Sequence, residues 1–351
     1  MTEALYPFLI EPKLVPSIWG GDALVRRYGK AGDPNARIGE AWECWDENRV
    51  RNGIHAGKTI ASLRGELGEA LMGRIDASER FPLLTKLIDA RAPLSVQVHP
   101  GDAYAQRVER QPVGKTECWL ILAAEPEATL LLGWVRDTDR TEFERRVGDG
   151  SLGELLRSIP VSAGDVFYLP AGTLHAIGPG VALFEVQQAS DLTYRIFDWN
   201  RSGPDGKPRR LHVEKAADVL DYRAARRTTV RPFGYELDGL RRTTLVADAR
   251  FWFERFELDG TPRTLALEGV PIALTAEADP LEVAANGTAV RLEPYSTAVV
   301  PAGAGSCTLR ATNGAASPLC AAPADAAALP LRYARAGVEL GAASAFLAQF
   351  R

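Results

Sequence analysis

Apolar and polar positions alternate with a period of two along much of the chain, in runs too short for anything but strands. Leu94–His99, Glu117–Leu122, Ala128–Trp134, Val166–Pro170 and Val181–Gln187 are each bounded by Gly, Pro or Asp. From about Phe233 onward strands dominate. Phe251–Leu258 ends at Asp259-Gly260 and Leu281–Ala284 at Asn286-Gly287, both hairpin turn signals. Helical spacing is confined to a few segments. It runs through Leu63, Leu67 and Leu71 in Thr59–Ile75, over a short stretch from Gly101 to Arg110, and over Val213–Tyr222. A polar helical insert is expected at about 137–159, where Ser151 and Glu154 read as a capping box and predict a second helix from Leu152. Many short strands with frequent turns predict a mainly β chain of jelly-roll barrels rather than a parallel sheet.

One segment is echoed. Val166-Phe-Tyr-Leu-Pro170-Ala-Gly172-Thr-Leu-His175 is shadowed by Thr297-Ala-Val-Val-Pro301-Ala-Gly303-Ala-Gly-Ser306, with Ser306 standing where His175 stands. The expectation is two related β units: 1–232 with the helical insert, and 233–351 as a degenerate partner, the boundary falling around Thr228 to Phe233. Two unrelated strands sharing a Pro-x-Gly turn are the alternative.

Composition narrows the chemistry. A chain of 351 residues with 46% hydrophobic content can bury a sizeable core. A net charge of −4 gives no electrostatic case for nucleic acid or an anionic membrane. Cys44, Cys118, Cys307 and Cys320 form no Cys-x-x-Cys pair and read as reduced thiols of a cytoplasmic protein. The apolar run Leu5–Ile10 is interrupted by Pro7 and too short for a signal peptide, and no stretch approaches transmembrane length.

Four histidines are present, and two sit in informative places. In Pro93-Leu-Ser-Val-Gln97-Val-His99-Pro100 the alternation projects Gln97 and His99 to one face and Val96 and Val98 to the other. Glu117 opens the next strand. In Gly164-x5-Pro170-x-Gly172-x2-His175 the glycines permit a tight turn that aims His175 back into a barrel. Gln97, His99, Glu117 and His175 together offer two oxygens and two imidazoles, a set suited to one divalent ion such as Zn²⁺. With one anionic ligand the site stays net positive and favours an anionic or hydroxyl-rich ligand. His55 and His212 read as structural, His212 capping or preceding a helix.

The chain resembles the type I mannose-6-phosphate isomerases, a family of bicupin zinc enzymes. The resemblance rests on Trp19-Gly-Gly21, Gly39-Glu40-Ala-Trp42, Pro82-Leu-Leu-Thr-Lys86, the Gln97-Val-His99-Pro100 strand and Gly114-Lys115-Thr-Glu117-Cys-Trp119. It continues through Pro170-Ala-Gly-Thr-Leu-His175, Ser190-Asp191-Leu-Thr-Tyr-Arg195, Asp198-Trp199-Asn-Arg201 and Gly206-Lys-Pro-Arg209-Arg-Leu-His212. The match runs from about Leu9 to Tyr222 and loosens after Phe233. It implies that Gln97, His99, Glu117 and His175 hold one zinc per chain, and that Arg195 is the active-site arginine. It also implies interconversion of mannose-6-phosphate and fructose-6-phosphate through a cis-enediolate. The rival readings are an isomerase of another phosphosugar, an iron dioxygenase, and a non-catalytic sugar-binding or regulatory bicupin. A fused guanylyltransferase is disfavoured, since no Gly-rich nucleotide-binding segment lies near the N-terminus.

Four further residues are candidates. Lys86 shares an apolar inward face with Leu84 and Ile88; burial and a nearby dication would lower its pKa and make it a neutral base or ring-opening group. Snorkelling from an edge strand is the alternative. Lys115, two residues before Glu117, is assigned to the substrate or its phosphate, against a solvated hairpin tip. Arg195 is assigned to the enediolate or phosphate, against a salt bridge to Asp191 or Asp198. Ser95 points to the metal face, where it donates to phosphate or holds the structure. Glu40 and Trp42 read as pocket wall or core. The helical insert is a candidate shield over the pocket.

Overall fold

The computed structural model describes residues 5–76, 80–203, 205–224, 229–324 and 328–350. It is mainly β, and it divides into two compact units. One comprises residues 14–41 and 86–230, the other 1–13, 42–85 and 231–351. The last crossing lies close to the expected boundary at 232, although residues 1–13 and 42–85 group with the C-terminal part. Thr228, where the expected boundary begins, lies outside the described residues.

The first unit is built on two sheets, as a cupin barrel is. Six strands lie in the order Val166–Leu169, Glu117–Ala124, Val181–Gln188, Leu83–Ala90, Lys13–Gly21 and Ile38–Cys44. Five lie in the order Tyr194–Phe197, Val96–Val98, His175–Ile177, Thr129–Trp134 and Leu156–Pro160. Trp19, Ile88, Trp119, Ile121, Leu132, Phe167 and Ile177 form the core between them. The outward faces carry a second cluster. Val96, Val98, Trp134, Ala176, Tyr194 and Ile196 pack there against Phe143 of the helix Arg140–Asp149 and Ala216 of the helix Val213–Val219. This is the period of two at work: Val96 and Val98 go to the helices, and Gln97 goes inward.

The second unit has an eight-stranded and a four-stranded sheet. Asn286-Gly287 does join a hairpin, Leu281–Ala285 with Thr288–Leu292, and both turn residues have positive φ as a type I′ turn demands. Asp259-Gly260 does not. The strands on either side of it, Phe251–Glu257 and Arg263–Ala266, belong to different sheets. The Thr59–Ile75 helix breaks at Gly68 into Ile60–Leu67 and Glu69–Met72.

The insert also departs from expectation. Its first helix is capped by Asp139, whose carboxylate accepts from Glu142 N at 2.8 Å. Ser151 makes no capping bond: its hydroxyl donates to Asp149 at 2.6 Å, and Glu154 pairs with Arg146 at 2.8 Å. With both halves of the box engaged elsewhere, Leu152–Leu155 is a single 3-10 turn leading into the strand Leu156–Pro160.

Candidate metal centre and active site

The sheet registers converge on one point. His175 pairs with Gln97, which pairs on its other side with Arg195. Glu117 pairs with Leu169 and Gln187 in the facing sheet. The turn before His175 uses Gly172 at φ +89, whose N–H donates to His99 O at 2.9 Å. Gly114 is required by space, since a Cβ there would lie 2.3 Å from Pro100 O. The next residue, Lys115, donates its N–H to that same carbonyl at 3.0 Å.

His99, Glu117 and His175 are all buried, and a ligand atom from each lies within 4.8 Å of the others. Glu117 Oε2 is 3.3 Å from His99 Nε2, and its Oε1 is 3.4 Å from His175 Nε2. His99 Nδ1 faces Leu192 O and His175 Nδ1 faces Thr173 O, each at 2.9 Å. Those carbonyls can only accept, so the Nδ1 atoms carry the protons and both Nε2 lone pairs aim inward. Gln97 Nε2 stands 3.2 Å from His175 Nε2, and Ser95 Oγ donates to Gln97 Oε1 at 3.2 Å. A half-turn of the amide exchanges its two ends and presents an oxygen to the centre, with Ser95 then accepting. Among the described residues the carboxylate of Glu117 accepts no well-aligned hydrogen bond, although Lys115 Nζ lies 2.8 Å away as an ion-pair partner. Two inward imidazole nitrogens, an amide and a buried carboxylate without hydrogen bonds fit a divalent ion.

Electrostatics prepare the same groups. Burial, helped by Lys115, pushes His99 down to about 3. Burial also lowers His175. For Glu117 burial works upward, but Lys115, His99 and His175 outweigh it and hold the carboxyl well below its usual range.

Beside the centre lies a cavity of about 300 Å³ lined by Lys86, Ser95, Gln97, Lys115 and Arg195 among others. Lys86 and Lys115 are both buried, so neither reaches solvent from an edge strand or a hairpin tip. Lys86 Nζ is 3.2 Å from Glu40 and 3.5 Å from Glu185. Burial alone would lower its pKa, but Glu40, Glu185, Asp191 and Glu117 together raise it. The protein's own groups thus hold Lys86 toward its charged form, against the lowering that burial and a nearby dication would bring. Among the described residues Arg195 forms no salt bridge: Asp198 is taken by Arg201 and Arg209, each at 2.6 Å, and Arg195 Nη1 donates to Arg210 O at 3.1 Å. Burial and the neighbouring Arg209 lower the Arg195 pKa.

Glu40 proves to be pocket wall, whereas Glu185, Asp191, Arg209 and Trp119 line the cavity without having been singled out. A lone carboxylate in Val181-Ala-Leu-Phe-Glu185-Val was the available signal for Glu185. His212 does precede a helix, but its side chain does not cap it. Its Nδ1 accepts from Arg195 N at 3.2 Å, and it lines the cavity. No residue of the insert 137–159 lines the cavity; its helix Arg140–Asp149 and the turn Leu152–Leu155 pack on the outer face of the five-stranded sheet, and its last residues enter that sheet as a strand.

A two-sheet barrel with an inward His–Glu–His cluster beside a cavity of charged side chains defines a cupin with a candidate metal site. A family model for the phosphomannose isomerase type I catalytic domain matches residues 8–126. Mannose-6-phosphate isomerase of Streptococcus mutans is 38% identical over 259 residues, 73% of this chain and 80% of that one. Mannose-6-phosphate isomerase ManA of Bacillus subtilis is 38% identical over 260 residues, with the same coverage. The crystal structure of a mannose 6-phosphate isomerase from Bacillus subtilis superposes with a TM-score of 0.82 at 29% identity, over 90% of this chain and 99% of that one. The chain belongs to the type I phosphomannose isomerase family.

Proposed function

We propose that the protein interconverts mannose-6-phosphate and fructose-6-phosphate at a single zinc ion held by Gln97, His99, Glu117 and His175. The observation that carries this reading is the buried His99–Glu117–His175 cluster opening beside a cavity edged by Lys86, Lys115 and Arg195. When bound, zinc supplies fixed positive charge for the oxygens of the open-chain sugar. Two imidazoles, a carboxylate and an amide oxygen favour it over magnesium, which prefers all-oxygen sites.

The chain's own residues do the rest. Aldose–ketose exchange moves a proton between C2 and C1 through a cis-enediolate, whose negative charge needs cationic neighbours. Arg195 and Lys115 provide these, Arg195 with a guanidinium that forms no salt bridge among the described residues. Ser95, Lys115 and Arg195 bind the phosphosugar. Lys86, held charged by Glu40 and Glu185, contributes a fixed cation at the cavity wall. All these side chains lie within residues 1–232, which carry the reaction; we read 233–351 as a cupin-like unit without the ligand set. No helix among the described residues is long and apolar enough to cross a membrane. The four cysteines are buried thiols, which suits a reducing, cytoplasmic setting.

Metal analysis of the purified protein beside a coupled mannose-6-phosphate assay, before and after chelation, tests the proposal. One zinc per chain and activity restored by added zinc are expected, with both lost in His99→Ala and His175→Ala. Full turnover by metal-free protein refutes it.

A further inference from the structure

Arg195 stands on Tyr194–Phe197, the strand at one edge of the five-stranded sheet. On its inner side it pairs with Gln97, and the register slips just past that pair, between Arg195 and Phe197. An edge strand leaves one row of peptide groups to other partners, and a bulge re-aims the side chains beside it. The ladder by itself therefore leaves the aim of the Arg195 guanidinium loosely set.

The segment Arg210–His212 supplies the further partner. His212 N–H donates to Arg195 O at 2.7 Å, and His212 Nδ1 accepts from Arg195 N–H at 3.2 Å. One residue thus takes both peptide groups of Arg195, as a neighbouring strand would, but its acceptor is a side chain. A third hold is on the guanidinium, whose Nη1 donates to Arg210 O at 3.1 Å. Arg195 and His212 both line the cavity beside the metal cluster.

The bond to Nδ1 fixes the state of the ring. A peptide N–H can only donate, so Nδ1 offers a lone pair, and the proton of neutral His212 sits on Nε2. A protonated ring carries hydrogen on both nitrogens and would turn an N–H toward an N–H. The clamp therefore exists only with a neutral ring. His212 is half-buried, and around it stand Arg195 on the strand, Arg210 on the preceding loop, and Lys215 and Glu109 from two helical segments. Burial and the three cations lower its pKa from 6.5 against Glu109, which is itself paired with Lys215 at 2.6 Å. The Tyr194 ring lies 6.2 Å away and donates its hydroxyl to the same Glu109 at 2.7 Å. Arg209 shares the cavity wall but is engaged by Asp198.

We propose that His212 is a positioning residue: its neutral imidazole holds the Arg195 peptide so that the guanidinium meets the reacting sugar, and protonation of the ring lets that strand go. The role rests on the reading of Arg195 given above.

Two amide variants separate the clamp from bulk. In His212→Asn, Oδ1 stands where Nδ1 stood and accepts from Arg195 N–H with no proton to gain in mild acid. In His212→Gln the amide lies one bond further out and misses that N–H. On zinc-loaded samples at pH 8, kcat should stay within about 2-fold of wild type in His212→Asn and fall roughly 10-fold in His212→Gln, with KM changed less than kcat. Wild-type turnover should fall as the pH drops below about 6.5, and His212→Asn should hold its turnover to lower pH. The ring is also read without activity. The chain has four histidines, so its imidazole nitrogen NMR spectrum is sparse, and the signal missing from either variant is that of His212. At pH 8 it should show a bare Nδ1 and a protonated Nε2. If His212→Gln does not fold, the tautomer and the His212→Asn pH profile decide. An Nδ1–H tautomer, a His212→Asn variant as slow as His212→Gln, or equal acid limbs in wild type and His212→Asn overturns the proposal. If turnover is absent altogether while the ring shows the expected tautomer, the isomerase reading fails and the clamp is upheld.

Discussion

Replacing Lys86 by Met distinguishes an ion-paired ammonium from a neutral base. Lys86 is 3% exposed and lies 3.2 Å from Glu40 Oε2 and 3.5 Å from Glu185 Oε1. At these separations and an effective dielectric of about 20, each attraction is about 5 kcal/mol before the ammonium's desolvation is set against it. Removing one member of such a buried cluster costs on the order of 3–5 kcal/mol, a fall in Tm on the order of 10 °C. The pH dependence has a definite sign. Lys86 is raised above its ordinary value of 10.5, so its contribution is complete below that value and is lost only as the pH climbs through the higher folded value. Glu185 is already raised by burial and Glu117, with Lys86 opposing; without Lys86 it rises further. The folded variant then holds a proton that the unfolded chain releases, and this stabilises the variant as pH falls. The deficit against wild type is therefore widest near pH 8 and narrows toward about pH 5. Thermal melts at those two values, with zinc content and kcat on the same samples, check it. We expect zinc retained and turnover lost. A variant melting with the wild type at pH 8 would refute the ion-pair energetics, and an unchanged kcat would remove Lys86 from the reaction.

Arg195→Lys keeps the charge but loses the planar fork, and kcat should fall on the order of 10²-fold with metal content unchanged; steady-state kinetics beside zinc analysis check this. Metal should survive mild acid. His99 is held down to about 3, and burial lowers His175, so protons compete with the ion for these nitrogens less than they would for free imidazoles. Dialysis from pH 8 to pH 6 should leave one zinc per chain, and loss of most of it there would contradict the burial argument. The chelated protein should itself lose stability as pH falls below about 6.5, since depressed imidazoles stabilise the fold only above their unfolded value.

The parts of the site legible in the sequence were those fixed by local periodicity. Alternation alone put Gln97 and Ser95 inward and Val96 and Val98 outward, and the structure keeps that division. The glycine-rich turn before His175 was equally local. What escaped depended on pairing across sheets. Glu40 and Glu185 are separated by more than a hundred residues, yet both flank Lys86, and their convergence, together with Asp191 and Glu117, reverses the direction in which burial pushes that lysine. His212 shows the same limit: its place before a helix is local, but its hydrogen bond with Arg195 is not. The false capping box at Ser151 and the false hairpin at Asp259-Gly260 show the converse limit. A short motif states what a residue can do, and nearby competitors such as Asp149 decide what it does.

Trp119 tests whether the two sheets of the catalytic barrel are held in register by more than apolar packing. It lies two residues past Glu117, so it shares that inward face, and it is fully buried. Its ring meets His175 edge to face at 5.4 Å, while its Nε1 donates to Glu185 Oε2 at 2.8 Å. One indole therefore touches a metal-ligand candidate from the five-stranded sheet and the ion-pair partner of Lys86 in the six-stranded one. Trp119→Phe keeps an aromatic ring against His175 but removes the donor. Losing a hydrogen bond to a buried carboxylate costs about 1.5–3 kcal/mol. Glu185 would then lean on Lys86 alone and shift the ammonium from its place at the cavity wall. We expect zinc retained, a modest loss in Tm, and kcat lowered roughly 10-fold with KM nearly unchanged, as for a misplaced group that acts in the transition state. A purely packing role would leave kcat per zinc-loaded site at the wild-type value, and that result would confine Trp119 to the core.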